Sequence, residues 1–150
     1  MWEILLLKKV LVWLGIVCTV FTSVSVADKT SAQGIENRRW RIAQYSGDGS
    51  QSSDEQGLVG ADNTASITFA KGHIHGSAGC GALVGTYSLS SDRLIIQADF
   101  VLAGACTREH WIQNHMILIA LKGDLRMEEK DGHILLRDTS GKARVLLIPY

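Results

Sequence analysis

Apolar and polar residues alternate along much of the chain after residue 40. A β-strand points successive side chains to opposite sides of its sheet, so a period of two predicts strands with one buried face. At the start of the first such segment, for example, Trp40 and Ile42 flank Arg41. The segments with the alternating or β-branched composition of strands are 40–45, 65–70, 73–76, 86–90, 93–97, 125–130, 133–137 and 143–148.

Residues 107–122 follow a different period, because their large side chains recur at spacings of three and four. That period predicts one substantial helix, with its first residue as the N-cap and Gly123 directly after its end. Trp111 and His115 are four residues apart and are expected to face the core, whereas His110 lies off that face and is expected to be solvated. One helix among many strands indicates the α+β class.

The start of the chain has the composition of a targeting segment. Two lysines precede the apolar run Val10–Phe21, and small residues follow at Ser25 and Ala27. This pattern is typical of a secretory signal peptide, which predicts that residues 1–27 are removed on export to the periplasm, the cell envelope or the medium.

An uncleaved anchor and a lipoprotein are the alternatives to a signal peptide at this start. An uncleaved anchor would need Ile4–Leu7 to extend the apolar run, because a membrane span takes about 20 apolar residues, and the lysines interrupt it. A lipoprotein attached through Cys18 is less favoured, because Val17 stands where the attachment pattern has a small residue. Cleavage and retention as an anchor both stay open.

After export, residues 28–37 are expected to form a polar linker and residues 38–150 one domain. Ser46–Gln56 is rich in glycine, serine and aspartate and is predicted to be an exposed loop. The domain is close to neutral, which gives no electrostatic reason to bind nucleic acid or an anionic membrane surface. A membrane contact is therefore expected only through the N-terminal segment, if that segment is kept.

Cysteine usage points to a disulfide. Cys18 would leave with the signal peptide, which leaves Cys80 and Cys106. An even pair in an oxidising compartment is interpreted first as a disulfide, with free thiols or metal ligands as the alternatives. Closing a loop of this size contributes roughly 3 to 4 kcal/mol in the chain-entropy model, a large share for a small domain.

The stretch Gly72–Thr86 contains two histidines, a cysteine and five glycines. His73 and His75 lie on one face of a strand, and with a third ligand such as His115 or Cys80 they could hold zinc or copper. No spacing of the C-x-x-C type accompanies them, so two surface imidazoles are the favoured interpretation.

A nucleotide-binding loop and a catalytic centre are two further interpretations of the same stretch. A phosphate-binding glycine loop leads into a helix, whereas a strand follows here. A nucleophile formed by Cys80 or Ser77 with His75 lacks an acid partner. The glycines are therefore expected to serve backbone geometry, with Gly76, Gly79 and Gly85 as structural positions.

Ile67–Asp92, which reads ITFAKGHIHGSAGCGALVGTYSLSSD, resembles the META domain family, also described as HslJ-like. The family pattern has an opening tryptophan strand, a glycine-rich core that ends in cysteine, a G-x-Y strand, a second cysteine before a helix, and a closing β-meander. Gly81 departs from it, because the family usually has asparagine there. The resemblance covers about residues 38–150, and the matching positions are Trp40, Gly76–Cys80, Gly85–Tyr87, Cys106 and Asp131–Gly132.

The resemblance implies a compact α+β fold in the envelope or secreted space, an association with heat shock and stress, and no established catalytic residues. With the strand pattern, it predicts a curved antiparallel sheet, a partial barrel, with one main helix packed on it. We expect a non-enzymatic stress or interaction module without a cofactor, which acts on an unknown protein or envelope partner. The alternatives are an inhibitor of a wall-degrading or proteolytic enzyme acting through Ser46–Gln56, and a metal-binding enzyme using His73 and His75.

Overall fold

The structure, a computed structural model, describes residues 34–46 and 58–150. The predicted signal peptide and nearly all of the predicted loop Ser46–Gln56 lie outside the described residues. In chain order the elements are β1 (Arg39–Ser46), β2 (Leu58–Gly60), β3 (Ser66–Ala70), β4 (His73–Ser77), β5 (Gly81–Ser90), β6 (Arg93–Leu102), α1 (Arg108–Leu121), β7 (Gly123–Lys130), β8 (His133–Asp138) and β9 (Ala143–Pro149).

The strands form a closed antiparallel barrel. Strands β3 to β9 pair in sequence order, and β9 returns to pair with β1, which gives eight strands around the ring. The short strand β2 pairs with the end of β1, beside the part of β1 that pairs with β3. The predicted partial barrel is therefore wrong in detail. The alternating pattern shows that strands exist, but the pairing of Trp40 with Pro149 joins the two ends of the domain and has no local signal.

Tight turns connect the strands at one end of the barrel. Lys71–Gly72 joins β3 to β4, and Asp131–Gly132 joins β7 to β8. Both residues of each turn have positive φ, with values of 50° and 77° in the first and 54° and 75° in the second. Type I′ hairpin turns require positive φ at both central residues, so glycine at the second position suits this geometry.

Two glycines allow the strands of the barrel to approach each other closely. A Cβ added at Gly76 would lie 2.0 Å from the carbonyl oxygen of Ser66, and one added at Gly85 would lie 2.1 Å from that of Gln97. No side chain fits at these distances, so strands β4 and β5 need glycine at both positions. This agrees with the structural role expected for them from the sequence.

Helix α1 lies across the other end of the barrel. It contacts β6 on one side of the ring and β1 and β9 on the opposite side. Thr107 caps the helix, and its hydroxyl accepts a hydrogen bond from the backbone N–H of His110. In the part of the chain that the structure describes, no helix has the length and hydropathy needed to cross a bilayer.

The buried face of α1 differs from the one expected from the sequence. Ile117 and Leu121 are fully buried in the barrel core, together with Trp40 and other apolar side chains of the strands. Trp111 and His115, which were expected to face the core, are exposed instead. That expectation is wrong because apolar residues occur on both sides of this helix, so spacing alone cannot tell which side is buried.

The described residues before β1, 34–38, pack against the barrel instead of forming a free linker. Ile35 is fully buried in the core, and its carbonyl oxygen accepts a hydrogen bond of 2.9 Å from the indole Nε1 of Trp40. Next to it, the carboxylate of Glu36 accepts a hydrogen bond from the hydroxyl of Tyr87. The predicted linker 28–37 is therefore too long at its C-terminal end.

We predict that Gly76→Ala destabilises the barrel, because its new Cβ would meet backbone atoms of β3 that cannot move alone. The free energy of unfolding should fall by about 1 to 3 kcal/mol or more, measured by urea titration. Gly60→Ala is the matched control, since a Cβ there has nothing within 4 Å. Equal stability of the two variants would show that the close approach at Gly76 is not rigid.

Candidate functional site

The glycine-rich stretch and the helix meet at one corner of the barrel mouth, between β4 and β5. Cys80 in this corner is bonded to Cys106, which lies just before α1, and their Cα atoms are 5.5 Å apart. The bond joins the β4–β5 connection to the start of the helix across 26 positions of sequence. It therefore fixes where the helix begins relative to the barrel.

Gln113 links the helix to two barrel loops. Its side chain is buried, and its Oε1 accepts a hydrogen bond of 2.9 Å from the backbone N–H of Asp62. Its Nε2 donates a hydrogen bond of 2.9 Å to the carbonyl oxygen of Ala78. One amide thus satisfies two backbone groups on different loops, which would otherwise be left without partners beside the helix.

Asn114 lies against the disulfide. Only 1% of this residue is exposed, and its Nδ2 lies 3.1 Å from the Sγ of Cys80, to which it donates. Its Oδ1 is buried with no hydrogen-bond partner among the described residues. Gly79 has a φ of 133°, and a Cβ added there would lie 3.3 Å from that oxygen. The corner is therefore packed tightly against the helix, and glycine at position 79 allows the positive φ that its backbone adopts there.

A carboxylate and an imidazole face each other at the first turn of α1. Asp62 Oδ2 lies 3.2 Å from His110 Nε2. Asp62 Oδ1 accepts hydrogen bonds from the backbone N–H and the hydroxyl of Thr64, at 2.9 and 2.6 Å. Burial raises the pKa of Asp62, but these bonds, the Gln113 amide and the charge of His110 outweigh it, so the pKa lies below its usual range. The carboxylate is thus stabilised in its charged form.

These polar groups are arranged to hold the helix in place. In covalent catalysis of the triad type, the imidazole of such an Asp–His pair faces a hydroxyl or thiol nucleophile. Cys80 is bonded to Cys106, and the hydroxyl of Ser77 accepts a hydrogen bond from the N–H of Gly79. The hydroxyl of Thr64 already donates to Asp62. Cys80, Ser77 and Thr64 are therefore each engaged in a contact within the described part of the corner.

His73 and His75 lie on the outer surface of strand β4. Both are exposed, and their ring centroids are 6.5 Å apart. The third ligands considered from the sequence lie elsewhere, because His115 is on the outside of α1 and Cys80 is in the disulfide. Among the described residues, no group of three or more His, Cys, Asp or Glu side chains could hold a metal ion. The two imidazoles are a surface feature.

The outer side of α1 is apolar and exposed. We call this side the outer stripe, and it consists of Arg108, Trp111, Ile112, His115, Ile119 and Lys122. Trp111 is 47% exposed, and Ile112 and Ile119 are each 44% exposed. The rings of Trp111 and His115 are stacked, with centroids 5.5 Å apart and planes 5° apart. Large apolar side chains thus face solvent along the whole helix.

The described surface contains depressions outside the corner. One of about 220 Å³ lies beside the histidine pair, because it is lined by Thr86, which pairs with His73, and by neighbouring residues of β5 and β6. A second of about 160 Å³ lies between the β7–β8 hairpin and Leu146. Another of about 290 Å³ is lined by the exposed ion pair of Arg93 and Asp124 and by neighbouring residues. None of these depressions is lined by His73, His75 or Cys80, so they give no direct support to a ligand site at those residues.

The sequence interpretation missed the polar residues on the buried side of the helix. Gln113 lies four and eight residues before the core residues Ile117 and Leu121, so it shares their face of the helix. Asn114 lies four residues before Leu118, which is also buried. Polar residues at the same helical spacing as the buried apolar residues could have indicated that hydrogen bonds attach this side of the helix to the barrel.

Comparison with known proteins gives a match to one family model and matches to solved structures. The family model described as META domain matches residues 33–148. The fold is similar to an NMR structure of a protein from Burkholderia xenovorans, with a TM-score of 0.59, 14% identity, and 82% of this chain and 88% of that chain covered. A second NMR structure gives a TM-score of 0.51 at 17% identity, with 77% of this chain and 91% of that chain covered. At these identities the two structures show the fold alone. A search of curated proteins finds no match to this sequence.

We predict that removing the disulfide lowers stability without abolishing the barrel. The double variant Cys80→Ser, Cys106→Ser should lose about 3 to 4 kcal/mol of unfolding free energy, because the denatured chain regains loop entropy. Urea titration with and without dithiothreitol measures this. The reductant should destabilise the wild type and leave the variant unchanged, and a wild type insensitive to reductant would contradict the prediction.

We also predict that Gln113→Ala lowers the free energy of unfolding by about 1 to 3 kcal/mol, because it leaves two backbone groups without their partners. Gln97→Ala is the matched control, since Gln97 is exposed on β6 and its loss should cost less than about 0.5 kcal/mol. Urea unfolding compares the two variants. A loss at Gln113 no larger than that at Gln97 would mean that the amide does not hold the helix.

Proposed function

The chain belongs to the META domain family, and we propose that it acts as a non-enzymatic interaction module of the cell envelope that contributes to stress tolerance. Export is part of the proposal, and it rests on the signal-peptide pattern of residues 1–27. The disulfide between Cys80 and Cys106 supports it, since such bonds persist in oxidising compartments.

We infer that the chain has no catalytic role, because the reactive groups near α1 are engaged in structural contacts. Cys80 is bonded, the carboxylate of Asp62 is bound by Thr64 and faces His110, and Gln113 bridges two loops. The disulfide, the pair of Asp62 and His110, and Gln113 attach α1 to the barrel. The metal-binding alternative is also disfavoured, because His73 and His75 form no group of three possible ligands among the described residues.

The observation that carries the proposal is the outer stripe. A helix with apolar residues on both sides is usually buried on both sides. Here the inner side covers the barrel core, whereas Trp111, Ile112 and Ile119 are nearly half exposed. Tryptophan is among the residues most enriched in binding hot spots. We therefore assign the interaction to the outer stripe.

A complementation experiment tests the proposal. A strain that lacks the gene should survive envelope stress, such as heat or a wall-active antibiotic, less well than its parent. The wild-type chain should restore survival, whereas Ile112→Ser with Ile119→Ser should not, because these substitutions remove apolar contact area while leaving the buried side of α1 intact. Colony counts after stress measure the difference.

The matched control changes exposed apolar residues elsewhere on the barrel. Ile95 on β6 is 38% exposed and Val59 on β2 is 46% exposed, so Ile95→Ser with Val59→Ser removes similar side chains that lie outside α1. This variant should restore survival. Full restoration by the Ile112 and Ile119 variant, at equal protein level, would remove the support for the outer stripe as the functional surface.

A further inference from the structure

The outer stripe has a cation at each end. Arg108 is the first residue of α1 and Lys122 follows its last residue, and both are exposed. Between them the stripe contains apolar side chains and one imidazole, with no acidic residue. Glu109, the acid of this helix, lies about 100° around the helix axis from Arg108 and so to one side of the stripe. The stripe is therefore an apolar strip with positive ends.

This charge pattern disfavours a second copy of the chain as the occupant. If two outer stripes packed in antiparallel fashion, Arg108 would lie near Lys122 of the second copy. In a parallel arrangement each cation would face its own equivalent. Like charges at such positions are destabilising, and no acid on the stripe compensates for them. The stripe is suited instead to a surface that is apolar inside and negatively charged at its border.

We propose that the outer stripe docks on the surface of an anionic lipid bilayer. This inference rests on the proposed function and names the partner of the same surface. Tryptophan favours the boundary between headgroups and acyl chains, where Trp111 would lie, and the two isoleucines would enter the acyl region beside it. The long side chains of Arg108 and Lys122 would reach the lipid phosphates at both ends of the helix.

The near-zero net charge of the domain does not oppose this docking. From the sequence, a membrane contact is expected only through the N-terminal segment, because the whole domain is close to neutral. At physiological ionic strength, however, charges are screened over about 8 Å, so the charges next to the bilayer decide the attraction. The positive charges of the outer stripe therefore matter more for docking than the net charge of the whole domain.

Weak docking would be sufficient if the N-terminal segment is retained. Twelve residues separate the apolar run Val10–Phe21 from Gly34, the first described residue. A fully extended chain spans at most about 3.5 Å per residue, so a retained segment would keep the domain within about 40 Å of the bilayer. Confinement at this distance gives the stripe a high effective concentration of lipid.

The test uses the full-length chain reconstituted into two kinds of vesicle. One kind contains phosphatidylglycerol and phosphatidylethanolamine, and the other contains phosphatidylcholine alone. The N-terminal segment can insert into both, so any difference reports the domain. The emission of Trp111 is obtained by subtracting the spectrum of Trp111→Phe, which cancels the other tryptophans. Acrylamide, which is uncharged, then measures how accessible Trp111 is to water.

In phosphatidylglycerol vesicles, the emission of Trp111 should move to shorter wavelength and its acrylamide quenching should fall by about twofold or more. Both effects should be absent in phosphatidylcholine and should weaken as salt is added. Arg108→Glu with Lys122→Glu should abolish them, because the stripe would then repel the lipid phosphates. Arg126→Glu with Lys130→Glu, two exposed cations of β7, makes the same change in net charge and should retain them.

Three results would overturn the proposal. Equal quenching of Trp111 in the two kinds of vesicle would exclude docking on anionic lipid, and so would shielding that persists in the Arg108 and Lys122 variant. Shielding that increases with protein density in both kinds of vesicle would identify a second copy as the occupant. If lipid docking fails while survival under stress still depends on Ile112 and Ile119, the proposed function stands with a protein partner instead.

Discussion

Helix α1 lies across one end of the barrel, and its position depends on the disulfide between Cys80 and Cys106. The bond fixes the start of the helix on the β4–β5 connection. Gln113 and the pair of Asp62 and His110 then hold its first turns against two loops. Near its C-terminal end, the guanidinium of Arg144 donates a hydrogen bond of 3.0 Å to the carbonyl oxygen of Ile119. The helix is therefore attached along its length by groups from different parts of the chain.

This attachment determines which side of the helix is available to a partner. With its start and end held, α1 presents Ile117 and Leu121 to the barrel core and leaves Trp111 in solvent. A rotation about the helix axis would break the contacts of Gln113 and Asn114 and would expose core residues. The polar contacts thus orient an otherwise ambiguous apolar helix, and the orientation creates the outer stripe on which both proposals rest.

The glycine-rich stretch serves this architecture at three points. Gly76 and Gly85 allow close approach of neighbouring strands, and Gly79 allows the corner to lie against Asn114. Gly76 and Gly85 leave no room for a side chain, and Gly79 has a positive φ, so the density of glycine reflects packing and backbone geometry. The histidines of the same stretch point away from the core and take no part in the corner. What resembled a reactive site in the sequence is the structural support of the helix.

The sequence by itself determined the helix boundaries, the cysteine pairing and most of the strands, because these follow from local periodicity and the count of cysteines. The predicted segments 86–90 and 93–97 are too short, since β5 also includes residues 81–85 and β6 also includes residues 98–102. The closure of the barrel through β1 and β9 was decided by pairing between the two ends of the domain, which no local pattern encodes. Tertiary contacts likewise decided which side of α1 is buried. Both sides are apolar, and only contacts such as that of Gln113 with Ala78 distinguish them. Tertiary structure therefore decided where the candidate site lies, by turning Trp111 outward and bringing Asp62, Gln113 and the disulfide together.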